Sequence, residues 1–143
     1  MAKPSIGIRC ALEHSTLWFH LSQNLLEGGG YEGYRELLPY SFVSDEEIRH
    51  ALIMSKLPEK MTPEGREIAL RVLLLPGVQS FGPRQDYFDL TLHNESHWRT
   101  VLPAVVEILR DVLGKKATVH IEPGSSQVEQ WHEPLLRELK LIA

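Results

Sequence analysis

Between residues 5 and 12 apolar side chains fall on every second position. Ile6, Ile8, Cys10 and Leu12 share one side, with Gly7, Arg9 and Ala11 on the other. A period of two is that of a strand. After a break at Glu13–Ser15 the pattern resumes with Leu17, Phe19 and Leu21, while Trp18 and His20 face the opposite way. This predicts a hairpin over 5–21. Phe88, Leu90 and Leu92 alternate with Tyr87, Asp89, Thr91 and His93. That is the pattern of a half-buried strand with a polar outer face. Val78–Phe81 and the set Ala117, Val119 and Ile121 read as two further strands.

Helical spacing fills the intervals. Ser44-Asp45-Glu46-Glu47 is a capping-box pattern before Ile48, Leu52 and Ile53, and that helix ends near Leu57-Pro58. Thr62-Pro63 is a second start signal, followed by the apolar face of Ile68, Ala69, Val72, Leu73 and Leu75 and a stop at Pro76-Gly77. Val101, Val105, Ile108, Leu109 and Val112 carry a stripe to Gly114, and Pro103 predicts a regular start near Leu102. Val128, Trp131, Leu135 and Leu139 suggest a last helix, broken or delayed by Pro134.

This order predicts an α+β fold. It is a two-layer sandwich, with a mostly antiparallel sheet of four to five strands and helices on one face. Residues 63–122, with an upstream strand, fit a ferredoxin-like split β-α-β unit. The 143 residues read as one domain, with an insertion at about 22–62 and a C-terminal helix at about 127–141.

Composition narrows the function. A net charge of −4, from 15 basic and 19 acidic residues, argues against nucleic acid or an anionic membrane as partner. The single cysteine, Cys10, excludes an intrachain disulfide and any metal site built from several cysteines of this chain. No apolar run reaches membrane-span or signal-peptide length, so a cytoplasmic location is expected.

Catalytic and metal patterns are sparse. His93 and His97 are four apart but straddle a strand-to-helix junction, and no glutamate follows His93 as a zincin pattern requires. Cys10 and His14, if both on a strand, would stand more than about 10 Å apart. Gly28-Gly29-Gly30 lacks the Lys-Ser/Thr of a phosphate loop. No cofactor and no metal are therefore expected. A Cys10 or histidine enzyme would need Cys10, His14 or His20 grouped with a carboxylate in a pocket. Trp18 and Tyr87 would form an aromatic patch on the outer sheet face if their strands are neighbours, either a surface suited to a protein partner or one covered by an added element such as the 31–43 segment or the last helix with Trp131.

Three stretches carry a resemblance: Ala69-Leu-Arg-Val-Leu-Leu-Leu-Pro-Gly-Val-Gln-Ser-Phe-Gly-Pro, Asp86-Tyr-Phe-Asp-Leu-Thr-Leu and Trp98-Arg-Thr-Val-Leu-Pro. Together with Ser15-Thr-Leu-Trp-Phe they resemble the N-terminal domain of Nfu/NifU-type iron–sulfur scaffold proteins over about residues 15–114, with an insertion around 36–62. The early Pro-Asn-Pro of that family and its Cys-x-x-Cys are missing, so no cluster ligands carry over. The resemblance implies a non-catalytic interaction module, accessory to cluster assembly or delivery. Phe81, Gly82 and Pro83 in the turn and an exposed Trp98 would contact the partner, or, equally, Trp98 only plugs the end of the core. The alternatives are a dimeric ligand-sensing or metal-handling ferredoxin-like domain, a small histidine or Cys10 enzyme, and an inhibitor or immunity protein with a basic partner.

Overall fold

The computed structural model describes residues 4–10, 15–27, 61–122 and 129–142. In it the alternating stretches are strands. β1 (Ser5–Cys10) and β2 (Thr16–Leu21) pair antiparallel, with Ile8 opposite Phe19 and Gly7 opposite His20. Their inward side chains Ile6, Ile8, Leu17 and Phe19 have no exposed surface. The hairpin turn at 11–14, the glycine triplet and the helix expected after Ser44 lie outside the described residues.

Helix α1 (Pro63–Leu73) starts where the sequence signals. The Thr62 hydroxyl accepts from the Gly65 amide at 3.0 Å, and Pro63 occupies a first-turn position where its missing donor costs nothing. Ile68, Ala69, Val72 and Leu73 face the core. The chain then reverses through Gly77, at φ +92°, into β3 (Val78–Pro83). β4 (Tyr87–Leu92) returns antiparallel to β3, with Leu90 opposite Phe81.

A 3₁₀ turn (Glu95–His97), capped by Asn94, leads into α2 (Trp98–Leu113). The helix begins at Trp98 rather than near Leu102. Trp98, Val101 and Leu102 are all buried, so the first turn is pulled onto the core despite Pro103. Pro103 costs such a helix about 3 kcal/mol through its missing N–H and the clash of its ring with the preceding turn, and burying Trp98, Val101 and Leu102 together, at about 1.5–3 kcal/mol each, outweighs it. β5 (Thr118–Ile121) follows, and α3 (Glu129–Glu138) runs through Pro134 to seat Leu135 and Leu136 in the core.

The sheet order is β3-β4-β2-β1-β5, and only the β1–β5 pair is parallel. This is the expected α+β sandwich, with one difference from the split β-α-β expectation. There the strand before α1 and the strand after α2 would be neighbours, whereas β1 lies between β2 and β5. The hairpin explains this: β1 pairs locally with β2 and takes the place that β5 would fill. The three helices among the described residues all add side chains to one core cluster beneath the sheet. At its centre Phe88 lies between Phe81 and Phe19, with ring centroids 4.8 and 4.9 Å apart, and Trp98 stands 6.4 Å from Phe19.

The segment between β2 and α1 leaves and returns at one seam. Leu26 bridges Met61, the Thr62 amide donates to the Leu25 carbonyl at 2.9 Å, and Leu25, Leu26 and Met61 are all buried.

Candidate functional site: the outer face of the sheet

Alternation places a second set of side chains on the face away from the core. Adjacent β2 and β4 put Trp18 opposite Asp89 and His20 opposite Tyr87. Trp18 and Tyr87 therefore meet on the diagonal, with centroids 5.9 Å apart and planes inclined by 30°. Both are half-buried. The Arg9 guanidinium, from β1, lies 5.5 Å from the Trp18 ring, and that of Arg84 lies 5.7 Å from the Tyr87 ring. Cation–π contacts of this kind hold two long side chains flat against the rings. The result is a row, Arg9–Trp18–Tyr87–Arg84, running across three neighbouring strands to the β3–β4 turn.

His20 stands beside this row, edge-on to Tyr87 at 6.4 Å and 83°. Its Nε2 is 3.0 Å from Asp86 Oδ2 and its Nδ1 is 3.0 Å from Glu122 Oε1. The hydrogen bond to Asp86 is the largest influence and raises the His20 pKa above its ordinary value; partial burial opposes it, and the negative charges of Glu122 and Asp86 add to the rise. Glu122 comes from the far end of β5 and crosses β1 at Gly7, where a Cβ would lie 2.7 Å from its Cγ. Because the two carboxylates bind opposite sides of the ring, they do not converge on one point. Among the described residues no group of three or more His, Cys, Asp or Glu side chains is placed to hold a metal ion.

The residues expected from the sequence separate into two sets. Trp18 and Tyr87 come together as a patch. Phe81 and Trp98 have no exposed surface, and Gly82 and Pro83 are buried with them. The expectation of an exposed Trp98 is therefore corrected: as the first residue of α2 its ring turns inward against Phe19, where an apolar ring of that size gains most from leaving water. His93 and His97 are exposed at the end of β4 and in the 3₁₀ turn, with the His97 ring against Gly77. His14 lies outside the described residues, so its grouping with Cys10 is not described. His20 does meet carboxylates, but on an open face and 48 % exposed. Sequence reading missed this cluster. Its signal, an outward His20 with one carboxylate in the β3–β4 turn and another just past β5, becomes readable only once the strand order is known.

A separate depression of about 350 Å³ lies between the start of α2 and α3, lined by Glu95, Ser96, Arg99, Pro134, Leu135 and Glu138. Arg99 and Glu138 join by two hydrogen bonds of 2.9 and 3.1 Å, and this pairing holds the Glu138 carboxyl below its ordinary range. Among the described residues no helix is long and apolar enough to cross a membrane.

No family model and no curated protein matches this chain. Two solved structures are similar in arrangement. Protein SAV1430 from Staphylococcus aureus aligns at 22% identity and a TM-score of 0.48, covering 73% of this chain and 98% of that one. A NifU-like protein from Saccharomyces cerevisiae aligns at 16% identity and a TM-score of 0.49, covering 76% of this chain and 77% of that one.

Proposed function

We propose that this chain is a non-catalytic protein-interaction module, accessory to iron–sulfur cluster assembly or delivery, that receives its protein partner on the outer face of the sheet. The observation that carries the docking surface is the row Arg9–Trp18–Tyr87–Arg84. Trp, Tyr and Arg are the residue types that dominate the energetic centre of protein interfaces. Asp86, Asp89 and Glu122 share this face with the two arginines, so it carries both signs of charge. A polyanion such as nucleic acid favours a uniformly basic face, whereas a protein surface matches a mixed one. The link to cluster assembly rests on the sequence resemblance around Phe81-Gly82-Pro83 and Trp98.

The test is a binding titration of the full chain against a purified cluster-assembly scaffold protein, with amide chemical shifts as the map. Shifts confined to residues 9, 18, 84 and 87 and their neighbours, and a loss of about tenfold or more in affinity with Trp18→Ala, are expected. Binding that maps to the helices instead would refute the docking face. No binding, together with unchanged cluster-enzyme activities in cells lacking the protein, would refute the assignment to cluster assembly.

A further inference from the structure

Both acceptors around His20 are carboxylates, and the two ring nitrogens point to opposite ends of the sheet. Neutral imidazole has one N–H donor and one lone pair, so it serves a single carboxylate and turns its lone pair toward the other. Only the imidazolium donates to both. We propose that His20 is a proton-dependent clasp that ties the end of β5 to the β3–β4 turn across the outer face of the sheet, and that releases one of the two when it loses its proton.

The surroundings favour this reading from every side. Asp86 arrives from the β3–β4 turn and Glu122 from the end of β5, and their side chains are 44% and 26% exposed. On β4, Tyr87 presents its ring to the edge of His20, and Asp89 stands one row further along. β1 offers Gly7 directly opposite, leaving space for Glu122, and Arg9 in the next row lies over Trp18 rather than over His20. β5 places His120 on the other side of Gly7. Arg84 lies over Tyr87. The groups within hydrogen-bonding distance are thus both acidic, while the nearest arginines rest on aromatic rings. The upward pKa direction of His20 agrees with this geometry.

Release of the clasp has a local structural meaning. Glu122 reaches His20 only by lying across β1, so without its hydrogen bond the carboxylate is free to leave the sheet surface and expose Gly7. In the other tautomer Glu122 is kept and Asp86, which adjoins Tyr87, is the one freed, so the turn next to the aromatic row loses a tether. Proton binding at His20 is thereby coupled to the surface around Trp18 and Tyr87. This coupling belongs to the isolated chain and does not depend on any partner.

The experiment is a pH titration of the full chain by ¹⁵N-detected imidazole NMR, with His20→Gln identifying the His20 signal. Both ring nitrogens are expected to be protonated at the acidic end. The midpoint should lie above that of the same histidine in urea-unfolded chain, and both Asp86→Asn and Glu122→Gln should lower it. Backbone amides of 84–87 and 118–122 should move with the same midpoint in the wild type and lose that movement in His20→Gln. A His20 midpoint at or below its unfolded value would overturn the proposal. So would a midpoint unmoved by either substitution, or amides that follow the ring neither at 84–87 nor at 118–122. Should His20→Gln fail to fold, through-bond correlation of the wild-type His20 ring to its own backbone assigns the signal, and its midpoint and the amide movements then decide.

Discussion

Replacing Trp98 by alanine separates a core role from a binding role. The ring has no exposed surface, packs 6.4 Å from Phe19 and opens helix α2. Emptying such a site costs about 3–5 kcal/mol, the usual range for a buried Trp or Phe cut to Ala. Alanine recovers a few tenths of a kcal/mol through its better helix propensity. Against a total stability of about 5–15 kcal/mol this is a large share. At roughly 3–4 °C per kcal/mol for this chain length, the melting temperature should fall on the order of 10–20 °C. Urea unfolding followed by far-UV circular dichroism measures it without relying on tryptophan fluorescence. Trp98→Phe, which keeps an aromatic partner for Phe19, should lose less than half as much. A cost under about 1 kcal/mol for Trp98→Ala would refute the burial argument and restore Trp98 as a surface anchor. Trp18→Ala is the matching control, since a half-buried ring on the outer face should cost binding before stability.

Other expectations follow from the same geometry. The raised pKa of His20 means that its stabilisation is complete below the ordinary histidine value and fades as pH climbs through the folded-state value. With the ring 48% exposed, the effect stays below about 1 kcal/mol. Denaturation midpoints between pH 5 and 9 should show this slope in the wild type and lose it in His20→Gln. Gly77→Ala forces a Cβ into φ +92° and within 2.6 Å of the His97 ring, so a loss of about 1–2 kcal/mol with an unchanged denaturant slope is expected. Gly7→Ala should leave folding largely intact while displacing Glu122, read as a lower His20 titration midpoint.

The sequence exposes what is periodic and hides what depends on neighbours. Phe88, Leu90 and Leu92 alternate so regularly that β4 is readable to within a residue, and Thr62-Pro63 marks the start of α1 because cap and proline act locally. The start of α2 is misread because local propensity assigns Pro103 a cost, while the gain from burying Trp98 arises only after the chain has folded back. Trp18 and Tyr87 could be placed on the same face by alternation alone, but their contact required β2 to lie beside β4. The His20 cluster is further from view. Asp86 and Glu122 are 36 residues apart and flank the ends of two strands that never touch, so only the insertion of β1 between β2 and β5 brings their carboxylates to one imidazole.

The seam at Leu26 and Met61 makes the body of the fold modular. The two backbones at the seam are joined by a bridge, so the ends of the connecting chain are held together by residues of the sheet-and-helix body itself. Closing a link of about four residues instead of the 34 from 27 to 60 would lower the closure entropy by about 2 kcal/mol, since each doubling of length costs about 0.6 kcal/mol. With Leu25, Leu26 and Met61 kept, the seam is the position at which an exchanged or shortened connection is expected to leave the sheet-and-helix body folded.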